Sequence, residues 1–379
     1  MEERALIYSF MGSYLIFGAG STIILKSMDE SDYIHPYFQC ATLFLGELTC
    51  LAIYYLIKFH KNTQSRKNSY KVLQTNDPDS PRTGAYKKYG LFLFAIPAFF
   101  YWIAASLMFL GLILSAASVY QMVRGIISIF VTAYSVLILK VTLFKHQIVG
   151  ICFLLLGIIL VSISSLVWTA LSAKYPLIGI ILLICGQFFA AGVLLCEEIY
   201  LKQLDVEPLQ AIGLEGAFGV GFSLIFIPIL YFIPCNYENL CSHGSLENGY
   251  YAFTELWDTK LLLFWLGSLF SFAIVYFTGI STTKYTNALA RSTIDTCKTL
   301  FVWIFSMVSE WEEFVILQCV GFLCIVFGTA IYNEILVIPW FGLKQSVEAR
   351  RNTRNTANRS SSTSKVSSIE KEKKEQSDL

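Results

Sequence analysis

The chain is 379 residues long, 55% hydrophobic and 15% charged, with a formal net charge of +1. A soluble domain of this size carries about a quarter charged residues. That composition, with apolar runs of about 20 residues, describes a helical membrane protein; the runs lack the alternation of a β-barrel.

Taken in chain order, ten such runs fall at 5–25, 36–57, 90–112, 118–139, 146–168, 175–200, 208–233, 260–281, 289–309 and 313–337. Residues 1–58 hold spans one and two, and 89–173 hold spans three to five. Residues 174–340 hold spans six to ten. Between them, 59–88 form a basic cytosolic loop with the turn-favouring Asn76-Asp77-Pro78-Asp79-Ser80-Pro81. The tail, 341–379, is polar and expected to be disordered. With a cytosolic N-terminus, the inside loops collect Lys58, Lys61, Arg66, Lys67, Lys71, Arg82, Lys87, Lys88, Lys140, Lys145, Lys202, Lys284 and Arg291, whereas the outside loops keep only Lys26, Lys174 and Lys260. Basic residues in short loops set orientation, so both termini are expected in the cytosol. The first run has no basic leader and reads as a span rather than a signal peptide.

Charges inside spans are costly and mark function by default. Glu47, in Phe44-Leu45-Gly46-Glu47, is the first, with no obvious neutralising neighbour. It is a proton-coupling candidate, or a protonated group bonded to a nearby helix. Tyr70-Lys71-Val72-Leu73 in the 59–88 loop fits the tyrosine-based pattern that adaptor proteins read in cargo bound for endosomes and lysosomes. Arg124, in Tyr120-Gln121-Met122-Val123-Arg124-Gly125, shares a helical face with Gln121, a geometry suited to carboxylate or phosphate oxygens. The alternative role for Arg124 is a tie between helices. Glu197 and Glu198, at the end of span six, are expected to snorkel or be solvated. Glu215 is a second, weaker proton-coupling candidate. Cys235 and Cys241 share a loop outside the membrane and form a disulfide candidate; the other cysteines show no CxxC and no zinc spacing. Asp295 and Lys298, three apart, can pair on one face of span nine. The four histidines lie at span ends and in loops, where facing solvent is the default.

The chain also repeats itself at an offset of 171 residues. Gln147-Ile148-Val149-Gly150 with Gly157 returns as Gln318-Cys319-Val320-Gly321 with Gly328. Ala117 pairs with Ala288, Phe130-Val131 with Phe301-Val302, and Arg124 with Asp295. Five spans per copy force the second copy to insert upside down, the inverted plan of secondary transporters. The fold class is therefore an all-α integral membrane protein of ten helices in two inverted five-helix repeats. By that symmetry Arg124 and Asp295 are expected at different depths rather than in one salt bridge. Gly213, Gly216 and Gly219, like Gly150/Gly157 and Gly321/Gly328, leave strips for close helix approach.

These residues resemble a known family. His35-Pro36 with Phe44-Leu45-Gly46-Glu47, Tyr120-Gln121-Met122-Val123-Arg124-Gly125, Glu197-Glu198, Glu215-Gly216, Gly279-Ile280-Ser281, Asp295 and Gly328-Thr329-Ala330-Ile331-Tyr332-Asn333 are similar to the drug/metabolite transporter superfamily. Within it they resemble solute carrier family 35, subfamily F, a relative of the chloroquine-resistance-type transporters. The resemblance implies ten helices, cytosolic termini, a cavity lined by spans four and nine, and an endomembrane or lysosomal address. It supplies no substrate.

The reading is a secondary-active transporter working by alternating access, monomeric or homodimeric in the bilayer. Tyr120, Gln121 and Arg124 would contact solute from one half, Asp295 and Lys298 from the other, with Glu47 and Glu215 coupling protons. An apparent excess of acids in the spans favours a cationic or zwitterionic, amino acid- or peptide-like solute. A nucleotide or nucleotide sugar is the second choice, and a non-transporting scaffold or receptor the third. No enzyme motif is present, and no cofactor, metal or nucleic acid is expected.

Overall fold

The computed structural model describes residues 2–68, 90–115, 117–138, 140, 142–168, 175–204, 206–235, 244–286, 288–310, 315–332, 334, 336–339 and 342–351. Among these residues the regular structure is helical, with one isolated β-bridge between Pro234 and Ser245. Helix α1 spans Glu2–Asp29 and α2 spans Pro36–Asn68. A short 3-10 turn, Leu91–Phe94, leads into α3, Ala95–Leu114. Then α4, Ala117–Val123, passes through a second 3-10 turn, Arg124–Ile126, into α5, Ile127–Leu137. The chain continues with α6, Lys145–Trp168, α7, Pro176–Leu204, and α8, Pro208–Tyr231. After the short α9, Gly249–Glu255, come α10, Thr259–Tyr285, α11, Ala288–Val308, and α12, Ile316–Tyr332.

The helix starts follow from local chemistry. Proline opens α2, α7 and α8, where a missing N–H costs nothing because first-turn N–H groups have no partner within the helix. Asn248 caps α9 by accepting from the N–H groups of Tyr250 and Tyr251, and Asp258 caps α10 through Lys260.

Among the described residues, seven helices are long and apolar enough to cross a membrane: Ala5–Asp29, Pro36–His60, Leu91–Leu114, Lys145–Ser164, Leu177–Leu201, Pro208–Tyr231 and Thr259–Tyr285. Two further apolar helices, Arg124–Leu137 and Ile316–Tyr332, are shorter. The sequence expectation was ten spans. The remaining difference is α11, whose Arg291, Asp295 and Lys298 dilute its hydropathy although its 21 residues are long enough. The α4–α5 segment is shortened by its internal break. Outward side chains such as Ile16, Leu56, Phe59, Leu224 and Phe270 are exposed and apolar, the pattern of helices solvated by lipid.

The most extensive helix pairings are α6 with α12, α3 with α7, α2 with α8, and α1 with α10. Glycines make three of these close, two of them along the strips read in the sequence. A Cβ on Gly157 would stand 2.5 Å from the Gly321 carbonyl oxygen, and one on Gly328 2.7 Å from that of Gly150. On α8, Gly213 lies against Leu51, Gly216 against Glu47 and Leu48, and Gly219 against the Phe44 ring. Helices without a hydrophobic drive to associate gain their contact energy from such close approach.

Several expectations need correction. Helix α2 runs to Asn68, so the segment from 59 begins as helix rather than loop. The tail begins as a helix at 343–351, because Leu343 and Val347, four apart, bury one face while Arg350 and Arg351 pair with Glu334 at 2.9 and 3.1 Å. His35 and His146 are buried rather than solvent-facing. His35 sits between Glu247 (Nδ1–Oε1, 2.7 Å) and Glu255 (Nε2–Oε2, 3.2 Å), and His146 Nδ1 lies 3.0 Å from Ser346 Oγ. Burial becomes affordable for each ring because a polar partner replaces water. Cys235 is disulfide-bonded. Cys241, Tyr70, Leu73 and residues 352–379 lie outside the described residues, as does the side chain of Gln121.

Candidate solute site

A cavity opens between α1, α3, the α4–α5 segment, α7, α10 and α11. Its free volume is about 70 Å³, room for a few waters, so the cavity is narrow here. Its polar lining is Tyr14, Ser21, Thr22, Tyr101, Tyr120, Arg124, Gln187, Glu197, Tyr276, Arg291, Asp295 and Lys298.

Each charge is placed by a local feature of its helix. Arg124 sits where α4 gives way to the 3-10 turn, and a 3-10 stretch inside a helix often marks a hinge. Its Nη2 lies 3.4 Å from Asp295 Oδ1, and its Nη1 donates to the Tyr120 hydroxyl at 3.4 Å. The guanidinium also stands 5.6 Å from the Tyr120 ring centre. Asp295 and Lys298 form the local ion pair that their three-residue spacing on α11 permits. Lys298 Nζ lies 4.1 Å over the Tyr14 ring, and its stem fills the space left by Gly18. A Cβ at Gly18 would overlap that stem, so the glycine makes room for the lysine.

The contact between Arg124 and Asp295 corrects the expectation that the two mates form no salt bridge. Each stands seven residues beyond the start of its segment, Ala117 and Ala288, or about 10 Å along a helix. The expectation left out the reach of the arginine side chain and the break in its helix.

Arg291, expected among the basic residues of an inside loop, is instead a residue of the cavity wall. It is buried and pairs with Glu197, which is buried too rather than snorkelling. The guanidinium also lies 5.8 Å from the Tyr14 ring centre. Both partners sit near span ends, where charges are normally solvated, and only the fold brings them together. Glu198, next in sequence, accepts from the Ala288 N–H at 3.0 Å and fixes the start of α11.

Glu47 and Glu215 do not line the cavity. They lie behind it, fully buried where α2 packs on α8, and their oxygens accept no hydrogen bond among the described residues, but the Glu215 carboxyl is close enough to that of Glu197 to share a proton with it. Glu47, Glu197, Glu215 and Arg291 are near enough to act on one another electrostatically. Three carboxyls therefore face one guanidinium.

The structure thus joins Tyr120, Arg124, Asp295 and Lys298 in one site, adds Tyr14, Glu197 and Arg291, and sets Glu47 and Glu215 in an adjoining cluster. Ionic side chains that wall a cavity among apolar helices can hold a polar solute, and they stay away from lipid.

No known family profile matches the chain. Solute carrier family 35 member F6 of Mus musculus is 32% identical over 339 residues, covering 85% of this chain and 87% of its own length. The Homo sapiens protein of the same name matches to the same extent. An uncharacterized protein of Schizosaccharomyces pombe is 29% identical over 339 residues, 86% of this chain and 97% of its own. With these relatives and its apolar helices, the chain is a multi-pass integral membrane protein and belongs to solute carrier family 35.

Proposed function

We propose that this protein is a secondary-active transporter of a small organic zwitterion, working by alternating access between two five-helix halves of inverted topology. The observation that carries this reading is the ionic cavity itself, with Arg124 and Asp295 at repeat-related positions in its wall. Counting α4–α5 as one span and including α11 and α12 gives ten. Exchanging the halves then maps α1 with α10 onto α7 with α3, and α1 with α11 onto α7 with α5. The α2–α8 and α6–α12 pairs map onto themselves. All of these pairs are in contact, which supports the inverted arrangement.

Lining charge selects the solute class. Arg124, Arg291 and Lys298 face Glu197 and Asp295, and the additional acids Glu47 and Glu215 stand outside the lining. The sequence count of acids had favoured a cation equally; the lining favours a molecule with both charges, such as an amino acid or small peptide. A carboxylate would meet Arg124 and Lys298, and an ammonium the carboxylates and tyrosine faces. A nucleotide sugar would suit the cations but needs far more room. Glu47 and Glu215 would carry coupled protons, since two carboxyls without donors must be neutral or shared to be tolerated behind the site. Orientation with both termini cytosolic is supported by the basic inside loops, and an endomembrane or lysosomal address by the Tyr70–Leu73 pattern, a binding place for an adaptor.

Counterflow into proteoliposomes tests the proposal. Vesicles preloaded with amino acids or dipeptides should accumulate the labelled compound, and those preloaded with nucleotide sugars should not. Accumulation only of nucleotide sugars would favour the second substrate class. No accumulation of any solute by folded protein would favour a scaffold.

A further inference from the structure

The two arginine ion pairs in the cavity wall are unlike. Arg291 and Glu197 are in tight contact, with side chains only 5% and 2% exposed. Arg124 and Asp295 stand 3.4 Å apart, with side chains 21% and 7% exposed. A charge-assisted N–H···O bond normally closes to about 2.7–2.9 Å. Arg124 is thus loosely held on both of its contacts, since its bond to Tyr120 is also 3.4 Å. It turns towards the open space, at a backbone break. Its partner oxygen, Asp295 Oδ1, is the same atom that Lys298 engages.

From this difference we infer that Arg124 and Lys298 form a carboxylate subsite, in which Asp295 is a resident stand-in that the solute's own carboxylate displaces. The inference deepens the transporter reading and rests on it for the identity of the displacing molecule. The solute's carboxylate takes the place of Asp295 on the cations and its ammonium pairs with the released Asp295 carboxylate, so a zwitterion brings no net charge into the cavity. The guanidinium fork, used on one side only by Asp295, can take both oxygens of a free carboxylate. Releasing Asp295 also frees the contact between α11 and the 3-10 turn at Arg124–Ile126. Occupancy would thereby loosen the tie between the two halves. Arg291 and Glu197 would stay paired throughout and hold α7 to α11.

A subsite whose stand-in is removed should accept a small carboxylate from solution. The melting temperature of purified Asp295→Ala, titrated with sodium acetate, is compared with acetamide and with sodium chloride at equal ionic strength. Acetate is expected to raise it saturably, with no such rise in the wild type or when Arg124→Ala is added. Asp295→Ser serves if the alanine variant does not fold. An acetate response no different from chloride, or one unchanged without Arg124, would overturn the subsite. A wild-type response equal to the variant's would overturn the resident role of Asp295. This readout needs no transport, so the subsite and the transporter reading fail separately. Displacement by solute is then tested with the compounds that protect wild type. Their methyl esters should bind at least about tenfold more weakly, a difference of about 1.4 kcal/mol; equal binding of acid and ester would overturn it.

Discussion

Arg124 Nη2 and Asp295 Oδ1 are 3.4 Å apart in space and 171 residues apart in sequence, the same interval at which the chain repeats itself. The one charge at the break of α4–α5 therefore meets its own repeat mate. A cation in one copy and an anion in the other lets the two halves attract across the cavity. Two like charges at those positions would repel and hold the cavity apart, at a cost of several kcal/mol in an apolar setting.

Replacing Arg124 with alanine should abolish uptake with little loss of folded protein. Asp295 keeps Lys298 as a partner, so no carboxylate is left stranded. The expected stability change is within about 1 kcal/mol, as for loosely held pairs, and size-exclusion profiles with thermal melts would check it. Undiminished uptake by Arg124→Ala would remove the residue from the solute path.

Glu197→Ala should behave in the opposite way. It leaves the buried Arg291 without its carboxylate, which typically costs about 3–5 kcal/mol, while replacing both partners by apolar residues is far milder. Glu197→Ala should therefore melt well below wild type, and Glu197→Leu with Arg291→Met should recover most of the difference. Equal melting of single and double variants would contradict a tight pair.

Gly157→Ala tests the seam between α6 and α12. The added methyl would lie 2.5 Å from the Gly321 carbonyl oxygen and 2.7 Å from Ile325 Cγ1, so the helices must separate. Overpacking of this kind costs about 1–3 kcal/mol. Gly12→Ala, which meets nothing within 4 Å, is the control and should leave the melt unchanged.

Glu47→Gln and Glu215→Gln keep the shape of each side chain while removing its ability to carry and release a proton. Both variants are expected to fold, since neither oxygen pair accepts a hydrogen bond and the amide of Glu215→Gln can still donate to Glu197. Uptake driven by a proton gradient should fall to the level seen without a gradient, while exchange of solute for solute persists. Full gradient stimulation in both variants would remove these two carboxyls from coupling.

Much of the architecture was legible because its signals are local or periodic. Gly157 and Gly328 announced a close seam through their spacing, and the repeat placed Arg124 and Asp295 at equivalent positions. Asp295 and Lys298 were readable as a pair because one helical turn joins them. The contacts that escaped are those made across the fold. Arg291 and Glu197 are 94 residues apart, and His35 and Glu247 are 212 apart. Each sits where a chain normally meets water, so hydropathy gives no warning of its burial. The cradle that Tyr14 and Gly18 make for Lys298 likewise depends on α1 lying against α11, which no spacing in α1 reveals. A conspicuous apolar span with one small residue facing a charged span would have been the only hint.

The most direct test of the central claim is a thermal-shift screen of wild type and Arg124→Ala against amino acids, small peptides and nucleotide sugars. A ligand at 100 times its dissociation constant adds about 2.7 kcal/mol to the folded state, well above the noise of a melt. The account predicts at least one zwitterion that stabilises wild type in a concentration-dependent way and leaves Arg124→Ala unmoved. A compound that stabilises both proteins equally, or a panel that moves neither, would contradict the cavity at Arg124 as the solute site.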